Sequence, residues 1–187
     1  MNKTALYITC ALTAVAIAAL GQSQQYKLGR PATPEEVREL DISVAPDGSG
    51  LPKGRGSVVQ GQRIYESLCA NCHGDRGQGM LQYPALAGGQ GSLKSSDPLR
   101  TVGSYWPYTT TVWDYIHRKM PYDRPGTLTP DQTYAVTAFV LYLNGILDKE
   151  AELNETTLPR VKMPNRNSFV PDPRPDVPYP TKTPRQP

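Results

Sequence analysis

At 187 residues the chain is long enough for one domain with flanking segments. Its 20 Lys and Arg against 17 Asp and Glu leave a formal charge of +3, and the basic residues are scattered with no aromatic-interleaved run, which excludes nucleic-acid binding argued from charge. Three cysteines, one of them close to the start, exclude a disulfide framework.

Met1-Asn2-Lys3 precedes an apolar run from Ala5 to Leu20, with small residues around Ala19 to Ser23. One positive charge, a short apolar core and small residues after it make a secretory signal peptide. It is assigned to residues 1–21, with cleavage before Gln22 preferred and a cut after Ser23 as second choice. The run is short for a membrane span, so membrane attachment follows only if the signal is uncleaved. Cys10 lies inside the run and leaves with it. Residues 22–53 form an N-terminal extension. In it Thr33-Pro34-Glu35-Glu36 is a helix start, with Thr33 as N-cap, Pro34 at the first helical position and Glu36 completing a capping box. That helix ends near Asp41, and a Gly/Pro-rich connector runs from Pro46 to Gly56.

The domain proper is expected over residues 54–147. Ser57-Val58-Val59-Gln60 is a second capping box, opening a helix to about Cys69. Gly61, Tyr65 and Cys69 fall on one stripe of it, with Ile64 and Leu68 on a neighbouring apolar stripe. At its end stands Cys69-Ala70-Asn71-Cys72-His73. Two cysteines three apart with a histidine directly after are what covalent attachment of one haem c requires. Each thiol adds to a porphyrin vinyl group, and the histidine is placed to bind the iron. A structural zinc site needs four ligands, and the sequence offers only Cys10 and His117 besides these. Haem of this kind is attached outside the cytoplasm, so motif and signal agree on a periplasmic location.

Gly74 to Ser96 is glycine-rich and irregular, suited to backbone that wraps closely around a flat cofactor. Thr109 or Thr110 caps a helix to about Lys119 with Val112, Trp113 and Ile116 on its apolar side. Thr129-Pro130-Asp131-Gln132 starts the longest helix, Pro130 to about Asn144, apolar over most of its surface and closed by Gly145. Residues 148–187 are expected as an extended tail, polyproline-like from Leu158 onward, where nine prolines occur in thirty residues.

An iron bound by His73 needs a sixth ligand, and its identity separates electron transfer from gas or peroxide chemistry. Met80 is only seven residues past His73, too near to reach the opposite haem face easily. Met120 lies where a helix is broken by Pro121, so a loop there can present its sulfur; Met163 is the reserve. His117 would serve bis-histidine ligation but sits inside a helix between Ile116 and Arg118, and is otherwise a surface residue. Arg100, Tyr105 and Trp106 are candidates for hydrogen bonds to the haem propionates.

Gly61-Gln62-Arg63-Ile64-Tyr65 before Cys69, Pro84-Ala85-Leu86 after the motif, Met120-Pro121, and a last helix bearing Phe139 resemble the class I c-type cytochromes. The resemblance covers about residues 54 to 147. It implies an all-α fold in which the first and last helices cross around a covalent haem, with Gly61, Tyr65 and Phe139 at the crossing. It also implies that the Pro84 carbonyl accepts a hydrogen bond from the free nitrogen of His73. A closer resemblance is carried by Thr33 to Val37, Thr101 to Tyr108, Met120-Pro121-Tyr122, Pro125 to Thr129, Leu141 to Gly145 and Met163 to Arg166. These look like the cytochrome subunit of the Sox-system sulfur (sulfane) dehydrogenase. That subunit carries two haem domains, whereas this chain has one haem motif.

The resemblance implies an electron-accepting subunit or partner of a periplasmic molybdenum-cofactor dehydrogenase that oxidises sulfur compounds (sulfite or sulfane sulfur). It would pass single electrons to a downstream cytochrome c or terminal oxidase. The alternative is a haem enzyme, or a gas- or peroxide-reactive cytochrome, with a labile sixth ligand.

Overall fold

A computed structural model describes residues 28–172. The expected signal peptide at 1–21 and the end of the chain from 173 lie outside the described residues. The chain divides into two units, Met1–Asp41 and Ile42–Pro187.

In the first unit α1, Pro34–Leu40, starts as its sequence dictates. The Thr33 hydroxyl accepts from the Glu36 amide, and the Glu36 carboxylate accepts from the Thr33 amide. Arg30 grips the same carboxylate with two guanidinium nitrogens. That pairing, with the Thr33 amide bond behind it, lowers the Glu36 pKa to about 2. None of the helix's residues is buried.

The second unit carries β1 (Arg55–Ser57), α2 (Val58–Leu68), α3 (Ala70–His73), α4 (Thr109–Lys119), α5 (Pro130–Leu143) and β2 (Glu152–Asn154). Short 3₁₀ turns occupy Ser92–Lys94 and Leu158–Arg160. Capping boxes at Ser57 with Gln60 and Thr129 with Gln132 open α2 and α5 where expected. The end of α5 is a Schellman turn: Gly145 at φ +65° donates to the Tyr142 carbonyl and Ile146 to that of Leu141. The start of α4 differs from expectation. Its N-cap is Tyr108 with no side-chain cap, and Thr109 is already helical. The Thr109 hydroxyl instead donates to the Leu158 carbonyl at 2.6 Å, so a tertiary partner takes the group that capping would have used.

The core forms where α2 crosses α5. A Cβ placed on Gly61 would lie 1.8 Å from the Ala135 carbonyl oxygen and 2.9 Å from Phe139 Cβ, so only glycine permits this approach. Gly56 of β1 makes the same demand from the other side, its virtual Cβ 2.3 Å from the Ala135 amide nitrogen. Tyr65 and Phe139 fill the crossing with ring centroids 5.1 Å apart. Encased in this way, α5 buries every residue from Thr133 to Leu141. Thr133 and Thr137 survive there because their hydroxyls donate to the carbonyls of Thr129 and Thr133, four residues back.

Residues 148–172 of the segment expected as an extended tail without a core of its own combine a short strand, turns and a 3₁₀ turn, and they enter the core of the helical unit. β2 pairs antiparallel with β1 in the register Arg55–Asn154, Gly56–Leu153 and Ser57–Glu152. Leu153, Leu158 and Met163 are all buried in one cluster with the helices. This strap's apolar residues recur too irregularly for helix or strand periodicity to show. Among the described residues no helix is long and apolar enough to cross a membrane.

Gly61→Ala is expected to cost about 3 kcal/mol or more, because the new methyl meets backbone that cannot yield. Ser57→Ala, which removes one capping bond, is expected to cost about 1 kcal/mol. Denaturant unfolding of the two variants, equal in added or lost atoms but not in place, checks the ordering.

Candidate haem site

The haem motif follows directly from the end of α2. Cys69 terminates that helix at φ −122°, its amide bonded to the Tyr65 carbonyl at 2.8 Å. One turn, α3, carries the chain on, and the amides of Cys72 and His73 both bond the Cys69 carbonyl. A spacing of three on a single turn turns both thiols to one side. Gly74 at φ +77° ends the turn, and the buried Tyr65 hydroxyl locks it by donating to the Gly74 carbonyl at 2.8 Å. Burial, with Cys72 adding to it, pushes the Cys69 thiol up to about 11. Among the described residues no three or more His, Cys, Asp or Glu side chains converge as a metal-binding group.

Cys69, Cys72 and His73 open into a cavity of about 520 Å³ with mainly apolar walls. Leu68 and Tyr65 come from α2, Val112 and Ile116 from α4, Val136 and Val140 from α5. Pro84, Arg100, Trp106 and Met120 complete the set of expected residues that line it. The His73 Nδ1 lies 2.9 Å from the Pro84 carbonyl oxygen. A carbonyl only accepts, so Nδ1 carries the proton and Nε2 keeps its lone pair free. Met120 caps α4, its amide bonded to the Ile116 carbonyl at 3.0 Å.

The other candidates fall elsewhere. Met80 is half-exposed in a turn closed by two backbone bonds with Tyr83, and Met163 is buried in the core; neither lines the cavity. His117 is half-buried instead of free on the surface. It stacks on Trp113 at 4.7 Å, its Nδ1 sits 3.3 Å from the Thr133 hydroxyl, and it too is absent from the cavity wall. Tyr105 does not line the cavity; its ring lies against the Arg100 guanidinium, 5.6 Å from centroid to carbon.

A cavity bordered by two thiols on one turn, an oriented imidazole, a thioether and apolar walls fits a covalently held haem. The comparisons with known proteins agree. The Cytochrome c family model matches residues 58–144. The crystal structure of the sulfane dehydrogenase SoxCD from Paracoccus pantotrophus contains a chain 45% identical to this one. The match covers 87% of this chain and 81% of that one, with a TM-score of 0.75. No curated protein sequence matches significantly.

The chain belongs to the class I c-type cytochromes. Membership implies covalent haem c and an electron-transfer role. One contact of this cytochrome was not foreseen from the residues alone. The Asn144 side chain donates to the carbonyls of Leu86 and Val140 and accepts from the Gly88 amide at 3.2 Å. It thereby pins the glycine-rich loop, and with it Leu86 of the cavity wall, to the end of α5. A lone Asn after an apolar helix signals only a helix end, so its partners were legible only in three dimensions.

Burial lowers the His117 pKa, opposed by Asp114 and reinforced by Arg118. A base with a depressed folded pKa is neutral in both states above about pH 6.5 and costs stability below it. The cytochrome is therefore expected to lose stability as pH falls from that value through the folded pKa. His117→Gln should flatten this part of the profile, as read from thermal midpoints between pH 5 and 7.

Proposed function

We propose that this cytochrome is an exported, periplasmic carrier with a single haem that accepts electrons from a dehydrogenase of sulfur compounds. The observation that carries the reading is one apolar cavity bordered by both thiols, by an imidazole with Nδ1 committed to Pro84, and by Met120. The thiols of Cys69 and Cys72 would hold the macrocycle as thioethers, and His73 Nε2 and Met120 Sδ would bind the iron. Bound there, haem supplies an iron that takes up one electron as it goes from ferric to ferrous and gives it up on return.

The chain's own residues do the rest. The Pro84 carbonyl fixes the imidazole ring and raises its basicity. The thioether of Met120 favours the ferrous state and raises the potential. Valine, leucine and isoleucine side chains exclude water and limit reorganisation. Arg100 and Trp106, both on the wall, are placed to donate to propionates. Periplasmic location is supported by the apolar leader at Ala5 to Leu20 and by the site of haem attachment; a single haem is supported by the one Cys-x-x-Cys-His motif in the sequence.

The proposed donor is supported by the likeness to a chain of a sulfane dehydrogenase, extending over most of both chains. By that likeness the partner is a molybdenum-cofactor subunit that oxidises sulfite or sulfane sulfur, and the acceptor is a further cytochrome c or terminal oxidase.

The ferric cytochrome is expected to show the weak near-infrared absorption of methionine bound to iron. Met120→Ala should abolish it and Met163→Ala should leave it; the reverse pattern, or persistence in Met120→Ala, contradicts the ligand assignment. Mixing the ferric protein with the molybdenum subunit from the same cells and a sulfane-sulfur compound should reduce the haem within the turnover time of that enzyme. Haem that stays ferric, in a protein that dithionite still reduces, rules out this donor.

A further inference from the structure

Arg100 borders the cavity yet its residue is solvent-exposed. A long, exposed arginine has several rotamers within reach and no reason from its own segment to keep its charge at the cavity rim. Its backbone is firmly set. Thr101 and Ser104, both buried, exchange amide-to-hydroxyl bonds, and their hydroxyls reach the carbonyls of Gly88 and Leu99. What faces the guanidinium is the Tyr105 ring, 5.6 Å away.

That ring is held from the C-terminal strap. Phe169 meets it edge-on with centroids 5.4 Å apart. The Asn165 side chain, itself buried, donates to the Tyr105 carbonyl at 2.6 Å. Met163, two residues before Asn165, is anchored in the core. Strap, ring and guanidinium thus form a continuous series of contacts that ends at the cavity. Its strap members, Met163, Asn165 and Phe169, lie outside the residues 58–144 that match the family model, whereas Arg100 and Tyr105 lie within them.

Resting on the single-haem reading above, we propose that Asn165 and Phe169 are positioning residues that hold Tyr105, and through it the Arg100 charge, at the haem rim and so set its potential. A positive charge held near the iron disfavours the ferric state, which carries one more positive charge than the ferrous state. Solvent exposure screens the interaction, so the effect is modest. A strap that lets go of Tyr105 frees the guanidinium into water and lowers the potential without touching a ligand to iron.

Spectroelectrochemical titration of the intact, haem-loaded protein tests this. Arg100→Gln is expected to shift the ferric-to-ferrous ratio at a given potential about fivefold toward ferric, equal to about 40 mV at 59 mV per tenfold for one electron. Phe169→Ala, at a half-exposed position where folding is not at stake, should shift it about twofold, near 20 mV. Phe169→Tyr, which keeps a ring, should restore the wild-type potential. In the Arg100→Gln background Phe169→Ala should add nothing. A Phe169→Ala protein at the wild-type potential, or one whose shift persists without Arg100, overturns the proposal while the haem reading stands. A chain that carries no haem overturns both.

Discussion

The near-contact of α2 with α5 is the constraint on which the structure depends. Two glycines, Gly56 and Gly61, bring β1 and α2 against the backbone of Ala135 at distances no side chain could share. The Tyr65 and Phe139 rings then fill the angle between the helices. Because α5 is enclosed on nearly all sides, it acts as a fixed post against which the other elements are set. The crossing also fixes the direction in which α2 ends. Its last turn delivers Cys69, and the Tyr65 hydroxyl that belongs to the crossing reaches forward to the Gly74 carbonyl that closes the haem motif. Packing and site are therefore joined through one side chain, which contributes its ring to the core and its hydroxyl to the cofactor turn.

From that post the cavity is assembled by pieces distant in sequence. Asn144 at the end of α5 ties down the glycine-rich loop, so Pro84 and Leu86 take up places from which one orients His73 and the other forms wall. Helix α4 supplies Val112 and Ile116 and hands over to Met120 at its cap. The strap from 152 to 169 is tied in through the pairing of β2 with β1, through the Leu158 carbonyl that accepts from Thr109, and through Asn165 that donates to the Tyr105 carbonyl. A cofactor seated between these pieces adds contacts to all of them at once. Folding and haem attachment should accordingly reinforce each other, as binding to the native state alone always does.

Much of this could be read from residues in advance, and the reason differs from case to case. Capping boxes at Thr33, Ser57 and Thr129 are local, so four residues suffice to see them. The pentapeptide at Cys69 is equally local, because the chemistry requires its parts side by side. Pro84 and Met120 came through the family resemblance and a helix-breaking proline, not through any periodicity. What escaped was tertiary. Thr109 looked like a cap and serves Leu158 instead. Gly56 looked like one more connector glycine and is a close-approach site. The strap looked like a tail because proline content describes the backbone and says nothing of where Leu153, Leu158 and Met163 go. Tyr105 was assigned to the cofactor directly, whereas its ring meets Arg100 and Phe169 and lies off the cavity wall.

The central claim is that this cavity holds one haem, joined to the protein through both thiols of a single turn. Intact mass measurement of the protein purified from cells that attach haem tests it most directly. The account predicts the polypeptide plus one haem, resistant to acid extraction, with the added mass lost in a Cys69→Ala, Cys72→Ala double variant. A protein at the bare polypeptide mass with both thiols still open to alkylation, or one carrying a second haem, would contradict it.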